Sequence, residues 1–314
     1  MGSVLLTRRV PSSVLAPLEA QHDLDVWPGD AAIPRDELLK RAAGRDALIT
    51  VLTDRIDDGV LDAAGPQLKI VANIAVGYDN FDVPAIRRHG VIPTNTPDVL
   101  TEATAELTWA LILGIARRVV EGDRLVRAAG WKGWTFDFML GTELRGKQLG
   151  IVGAGRIGRA VAAKAPAFGM TAVFARRPGA TPRGPDERTL DEVLVTSDVI
   201  SLHVPGSGAT RHLIDRKAFA RMKRSALLVN TARGSVVDED ALVWALSERL
   251  IAGAALDVYE QEPAVHPGLA AFENVVLAPH LGSATRETRT AMADLAVRNV
   301  LAVLAGGAPL TPIA

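Results

Sequence analysis

Three side chains able to move a proton or hold an anion each follow a short apolar run: Arg233 after ALLVNTA, Glu262 after AALDVYEQ and His280 after NVVLAP. If those runs are parallel strands, the three share one rim, because ligands of open α/β sheets bind beyond the carboxyl ends of the strands. A guanidinium there can grip a carboxylate through two parallel bonds and polarise the neighbouring carbonyl. An imidazole, which ordinarily titrates near neutrality, can deliver the proton that a developing alkoxide needs. A carboxylate beside the ring can hold one tautomer and favour the protonated form. These are the requirements of hydride transfer to a 2-oxo acid. Each residue also has a plainer reading: Arg233 as a turn cap or a partner of Asp238, Glu262 as a solvated charge, His280 as a surface or structural histidine. His203, in DVISLHV, occupies a similar place, and Asp257 is either a structural carboxylate or a polar contact to a nicotinamide edge.

The reductant that such chemistry needs has its own signature. Gly153, Gly155 and Gly158 stand at G-x-G-x-x-G spacing between a strand-like run, Gln148 to Val152, and a helix-like run, Arg159 to Phe168. The first glycine permits a tight turn, the second lets a pyrophosphate approach bare backbone, and the third lets the helix pack close to the strand. The phosphates then meet free N–H groups at the positive end of the helix dipole. In an NAD-specific site a carboxylate ends the following strand, about twenty residues on, and takes the ribose hydroxyls. Here TAVFA is followed by Arg176 and Arg177. A guanidinium at that place can grip the 2′-phosphate of NADPH, whereas a carboxylate would repel it. The expected cofactor is therefore NADP(H) by preference, with NAD(H) possible.

The elements that must position these residues alternate along the chain. SVLL, ALITVL and KIVANIAV come before the glycines; TAVFA, DVISLHV, ALLVNTA, IAGAALDV and NVVLAPH come after them, with helical stretches between most. That rhythm predicts parallel, helix-covered sheets, the second of them six-stranded and doubly wound. A length of 314 residues favours two domains, and 48% apolar residues suffice for their cores. A net charge of −1 without a basic, aromatic-laced run argues against nucleic acid as a partner. With no cysteine, disulfides, thiolate nucleophiles and Cys-ligated zinc are excluded, and no metal site is expected. In MGSVLLTRRVP the arginines follow the apolar run, the reverse of a signal peptide, and Leu6 replaces the hydroxyl residue of a myristoylation signal. LTWALILGIA is too short to span a bilayer. The expectation is a cytoplasmic protein without a membrane partner.

Taken together, NIAVGYDNFD (73–82), GKQLGIVGAGRIGRAVA (146–162), LVNTARGSVVDEDAL (228–242), AALDVYEQEP (254–263) and LAPHLGSAT (277–285) resemble the D-isomer-specific 2-hydroxyacid dehydrogenase family in content, order and spacing over nearly the whole chain. The resemblance implies a Rossmann dinucleotide-binding domain, 100–286, inserted into a discontinuous flavodoxin-like substrate domain, 1–99 and 287–314, with the final helix crossing back. It implies Arg233, Glu262 and His280 as the catalytic set. It implies substrate contacts at Leu52, Val76 and Gly77 beside Arg233 and His280, with Val76 and Gly77 at the substrate carboxylate. Cofactor contacts are implied at Thr104, Arg156, Ile157, His203, Val204, Pro205, Thr210, Thr231, Ala232, Asp257 and Gly282, besides the three glycines and Arg176, which lies eighteen residues beyond Gly158 where the family has its ribose-binding position. The chain reads VPGSGATRHL where the family has a Pro-Leu-Thr-Pro-x-Thr run, which bears on Thr210.

GWKGWTFDFMLGTELRGK most resembles the glyoxylate and hydroxypyruvate reductase branch, in which an aromatic at the place of Trp134 reaches the partner's substrate pocket in a homodimer. Trp131 and Trp134 could equally be ordinary interface aromatics. Glu262 separates the chain from the formate dehydrogenase branch, which has an amide there. The chain stops at Ala314, leaving no room for the regulatory domain of long phosphoglycerate dehydrogenases. The expected activity is NADPH-preferring reduction of glyoxylate and hydroxypyruvate to 2-hydroxy acids; the alternatives are a reductase of bulkier 2-oxo acids or a dinucleotide-sensing module like the corepressors that the family also resembles.

Overall fold

A computed structural model describes residues 1–182 and 184–313. They form two compact units, one of Met1–Leu100 with the segment from Thr285 onward, the other of Thr101–Ala284. In the first unit β1 (Ser3–Leu6), β2 (Asp23–Val26), β3 (Ala47–Thr50), β4 (Ile70–Asn73) and β5 (Ile92–Thr94) make a parallel sheet in the order β2-β1-β3-β4-β5. That is the flavodoxin-like order. Helices α1 (Ser12–Glu19), α2 (Arg35–Ala42), α3 (Asp58–Ala64) and α4 (Val83–Arg88) connect the strands. Successive side chains of a strand face opposite ways, so Val4 and Leu6 enter one core with Leu18 and Val300 while Leu5 enters the other with Leu38 and Leu61. Burying each such side chain on both faces is worth about 1.5–3 kcal/mol. Two strands of this sheet carry no continuous apolar run: DLDV at one edge is partly exposed, and IPT at the other holds a proline, which suits an edge.

The second unit begins with α5 (Thr101–Ala116) and α6 (Val119–Arg127), then β6 (Gln148–Val152), α7 (Arg156–Lys164) and β7 (Thr171–Ala175). It continues through β8 (Glu187–Arg188), α8 (Leu190–Thr196), β9 (Val199–Leu202), α9 (Arg216–Arg221), β10 (Leu227–Asn230), α10 (Glu239–Ser247), β11 (Gly253–Leu256) and β12 (Val275–Leu277). The sheet is wholly parallel, in the order β12-β11-β10-β9-β6-β7-β8. It is seven-stranded, not six-stranded as the sequence rhythm suggests, because β8 is a two-residue polar edge with no apolar signal. Strand order reverses between β6 and β9, which opens the crevice used by dinucleotides in this architecture. The helix after the glycines starts at Arg156, three residues before its apolar pattern, and tightens into a 3₁₀ turn at Ala165–Phe168, where Pro166 cannot continue the α-helical bonding.

The chain then re-enters the first unit as α11 (Arg286–Leu304), capped by the Thr285 hydroxyl, which accepts the Thr288 N–H at 3.1 Å. Its buried face, including Ala293, Ala296, Val297 and Val300, lies against the same core as Val4 and Leu6. No described helix is long and apolar enough to cross a membrane.

Candidate active site

Arg233, Glu262 and His280 all lie in loops at the carboxyl ends of neighbouring strands, β10, β11 and β12. His280 Nδ1 meets Glu262 Oε2 at 2.7 Å, and the other carboxylate oxygen accepts the Tyr259 N–H at 3.0 Å. Burial pushes the Glu262 carboxyl up, but the bond to His280, the imidazole's charge, the Tyr259 N–H and the Arg233 guanidinium together hold it below its ordinary value. Glu262 therefore stays ionised beside the ring, which suits a proton on Nδ1. His280 itself sits at φ +55°, a left-handed conformation that a non-glycine residue keeps only when its surroundings impose it.

The surroundings that impose it are visible. Asp257, almost wholly buried, accepts the Leu281 N–H at 2.6 Å and the Gly282 N–H at 2.8 Å on separate oxygens, and its carbonyl takes the His280 N–H at 2.9 Å. Burial pushes the Asp257 carboxyl up, against the pull of the Leu281 N–H, the His280 charge and the Gly282 N–H. From α5, the Thr104 hydroxyl donates to the Gly282 carbonyl at 3.0 Å, while Thr108 Oγ1 lies 3.0 Å from Thr231 Oγ1. Asn230 closes the turn that carries Arg233: its amide donates to the Arg233 carbonyl at 2.9 Å and its oxygen accepts the Ala232 N–H at 3.0 Å. Sequence reasoning passed over Asn230 and Thr108; the one signal for Asn230 is a polar residue closing a fully buried strand.

The two rim histidines are not equivalent. His203 Nε2 lies 2.8 Å from Ser201 Oγ, Nδ1 is buried without a partner among the described residues, and burial pushes the ring down to about 3. A ring so held stays neutral near neutrality and is a poor general acid. The geometry thus favours His280 over His203 as the acid, a choice that position in the sequence left open.

Residues 109–282 match the family model described as D-isomer specific 2-hydroxyacid dehydrogenase, NAD binding domain. The chain belongs to the D-isomer-specific 2-hydroxyacid dehydrogenase family. It is 50% identical to a glyoxylate reductase of Aeropyrum pernix over 98% of this chain and 94% of that one. It is 47% identical to a glyoxylate reductase of Thermococcus kodakarensis, over 98% and 95% of the two chains. Among solved structures, an NADPH-dependent glyoxylate/hydroxypyruvate reductase of Sinorhizobium meliloti, in complex with NADP and malonate, superposes with a TM-score of 0.87 at 34% identity, covering 100% of this chain and 97% of that one. As a member of this family of dehydrogenases the protein is an NAD(P)-dependent oxidoreductase.

The dehydrogenase's own glycines test the fit of a dinucleotide. A Cβ at Gly153 would strike the His203 carbonyl, and one at Gly158 would strike the Gly153 carbonyl, so both glycines are demanded by protein packing. Gly155 is different: nothing lies within 4 Å of the place its Cβ would take. That open backbone at the start of α7, at the positive end of the helix dipole, suits a pyrophosphate. Arg176 follows β7, its N–H donating to the Arg188 carbonyl at 2.8 Å, so β8 fixes the backbone from which the guanidinium extends. Arg177 beside it is exposed. Val204 and Pro205 continue from β9, but Thr210 turns inward on its own loop: its hydroxyl donates to the Pro205 carbonyl at 2.6 Å and accepts the Ser207 N–H at 3.0 Å.

In the first unit, the loop after β4 presents Val76 and Gly77. Asn95 takes the Val76 carbonyl at 2.8 Å and Asn73 the Gly77 carbonyl at 3.0 Å. Neither loop N–H group has a partner among the described residues, an arrangement suited to an anion. Leu52, after β3, is exposed. Trp134 lies outside any helix or strand and is 76% exposed, far from being packed into the unit that carries it.

Proposed function

We propose that the protein is an NADPH-preferring reductase of glyoxylate and hydroxypyruvate, acting in the cytoplasm as a homodimer. The observation that carries the reading is the 2.7 Å contact between His280 Nδ1 and an ionised Glu262, on a rim that also carries Arg233. Arg233 grips the substrate carboxylate and polarises the adjacent carbonyl. His280 Nε2 delivers a proton to the carbonyl oxygen as it becomes an alkoxide, and Glu262 steadies the ring before and after. The Val76 and Gly77 N–H groups and Leu52 add contacts to the substrate. A bound nicotinamide dinucleotide would supply the hydride, held by Gly153, Gly155, Arg156, Ile157 and Gly158 at its pyrophosphate, by Arg176 and Arg177 at its 2′-phosphate, and by Thr104, His203, Val204, Pro205, Thr231, Ala232, Asp257 and Gly282 along its length. Relatives named glyoxylate reductase and the NADPH-dependent relative support the substrate and the cofactor. Steady-state oxidation of NADPH and of NADH with a panel of 2-oxo acids tests the whole reading. Efficient turnover of glyoxylate or hydroxypyruvate is expected; turnover confined to bulkier acids, or none, would overturn it.

Arg176 decides the cofactor. A hydrogen bond to a charged group contributes about 1.5–3 kcal/mol, so the guanidinium should favour NADPH roughly tenfold or more. Arg176→Asp should reverse that preference, chiefly through KM for the cofactor, and equal efficiency of the parent protein with both cofactors would refute the assignment.

The homodimer reading rests on an uncovered apolar surface. No residue of α6 is buried, Val119 and Val126 are exposed, and Trp131, Trp134 and Phe136 stand clear of any core in the stretch that follows. Such a patch on one chain is the mark of an interface. Trp134→Ala should raise KM for the 2-oxo acid or alter substrate preference. The assignment fails if the variant, still dimeric by sedimentation, keeps both.

A further inference from the structure

Glu260 lies outside the Arg233, Glu262 and His280 set, yet it joins the loops that follow β9, β10 and β11. Its Oε1 accepts the Glu239 N–H at the start of α10 at 3.2 Å, and its own N–H donates to Glu239 Oε1 at 3.0 Å. Its Oε2 lies 2.9 Å from His212 Nε2 and accepts from Arg211 at 3.5 Å. His212 is in turn tied to the turn after Arg233, its N–H donating to the Ser235 carbonyl at 2.8 Å. At the same junction Gly234 lies against the Tyr259 carbonyl so closely that no Cβ fits between them. Arg233 directly precedes this clasp in the chain, and Glu262 follows it by two residues.

We propose that Glu260 is a positioning residue, holding the loop that carries Arg233 and the loop that carries Glu262 at a fixed separation so that Glu262 stays on His280. This rests on the catalytic roles proposed above. A reciprocal pair of side chain to backbone bonds fixes both position and angle, and the imidazole of His212 brings in the third loop. Glu239 is the buried half of the pair. Burial pushes its carboxyl up, the Glu260 N–H opposes that, and the charge of Glu260 adds to the rise, opposed by His266 and supported by Asp240. The charged groups facing the clasp are thus Arg211, His212, Asp238, Glu239, Asp240 and His266; those facing Glu262 are Arg233, Asp257 and His280.

Misplacement of a catalytic group by about 1 Å costs up to roughly a hundredfold in rate. Glu260→Ala should therefore lower kcat about tenfold to a hundredfold with little change in KM for the cofactor. Because Glu262 would lose hold of His280, its carboxyl should move back up, and the acidic limb of the rate profile should shift to higher pH. Glu260→Gln, whose amide oxygen can still take the Glu239 N–H, should restore much of the rate. A ¹³C carboxyl titration of Glu262 reads the same shift without any turnover. The proposal is overturned if E260A keeps the parent's kcat, rate profile and Glu262 titration, or if its loss merely tracks a smaller folded fraction with profile and titration unchanged. If the parent reduces no 2-oxo acid, the functional reading fails, and the Glu262 titration still decides Glu260: an upward move in E260A supports the clasp and none overturns it. Should E260A not fold, His212→Ala, which removes one tether, is judged by the same titration.

Discussion

Replacing His280 by alanine is expected to lower turnover of 2-oxo acids by about a hundredfold to ten-thousandfold, the usual worth of a positioned general acid, while binding of NADPH stays near normal. The split between turnover and cofactor binding follows from where the ring sits. Its Nδ1 is committed to Glu262 and its loop to Asp257, so loss of the ring leaves the Gly155 opening and Arg176 untouched. A pH profile sharpens the test. Glu262 is held below the ordinary carboxylate value, so its ionised form, and the support it gives His280, are fully present above that ordinary value and are lost as pH falls through the lowered one. Reduction should hold in mildly acidic solution and fail only below it. The alanine variant, with no ring for Glu262 to support, should lose that acidic limb. A variant with a tenth of the parent's turnover and an unchanged profile would remove His280 from the reaction.

How much of this was legible before the structure depends on whether the cause is local. The three glycines could be read because their spacing between a strand and a helix is itself a local signal, even though the packing against Gly153 comes from His203 after β9. Strands β2, β5 and β8 were not plain, because edges are half-wet and their existence depends on neighbours far away in sequence. The two histidines after strands make the same point about the site. Position after a strand did not separate them; the family resemblance did, and the burial of His203 and the carboxylate opposite His280, both products of tertiary packing, give that separation its physical cause. Glu260 carried no signal that could distinguish it from a solvated loop charge, as its partners Glu239 and His212 are brought to it by the fold.

Arg233→Lys is the other substitution expected to abolish most of the activity, by about a hundredfold or more in kcat/KM, although it conserves charge. The argument is geometric. A guanidinium offers a planar fork that matches a carboxylate with two parallel bonds and can present a further N–H to the neighbouring carbonyl; an ammonium is a single, strongly hydrated point charge. The fork also needs its present setting. Arg233 Nη1 donates to the Ala232 carbonyl at 2.8 Å, its aliphatic stem runs beside Gly206, and its carbonyl is held by Asn230, so the backbone from which the side chain extends is fixed at both ends. Lysine would inherit the backbone but not the planar contact. Two lost charge-assisted bonds, each worth about 1.5–3 kcal/mol, correspond to a hundredfold or more. The loss should appear in both kcat and KM for the 2-oxo acid, since one part of the fork binds the ground state and the other acts as charge develops on the carbonyl oxygen. It should leave KM for the cofactor nearly unchanged. Steady-state kinetics with the 2-oxo acid varied at saturating cofactor make the measurement, and an undiminished kcat/KM in the lysine variant would exclude Arg233 from the substrate's carboxylate.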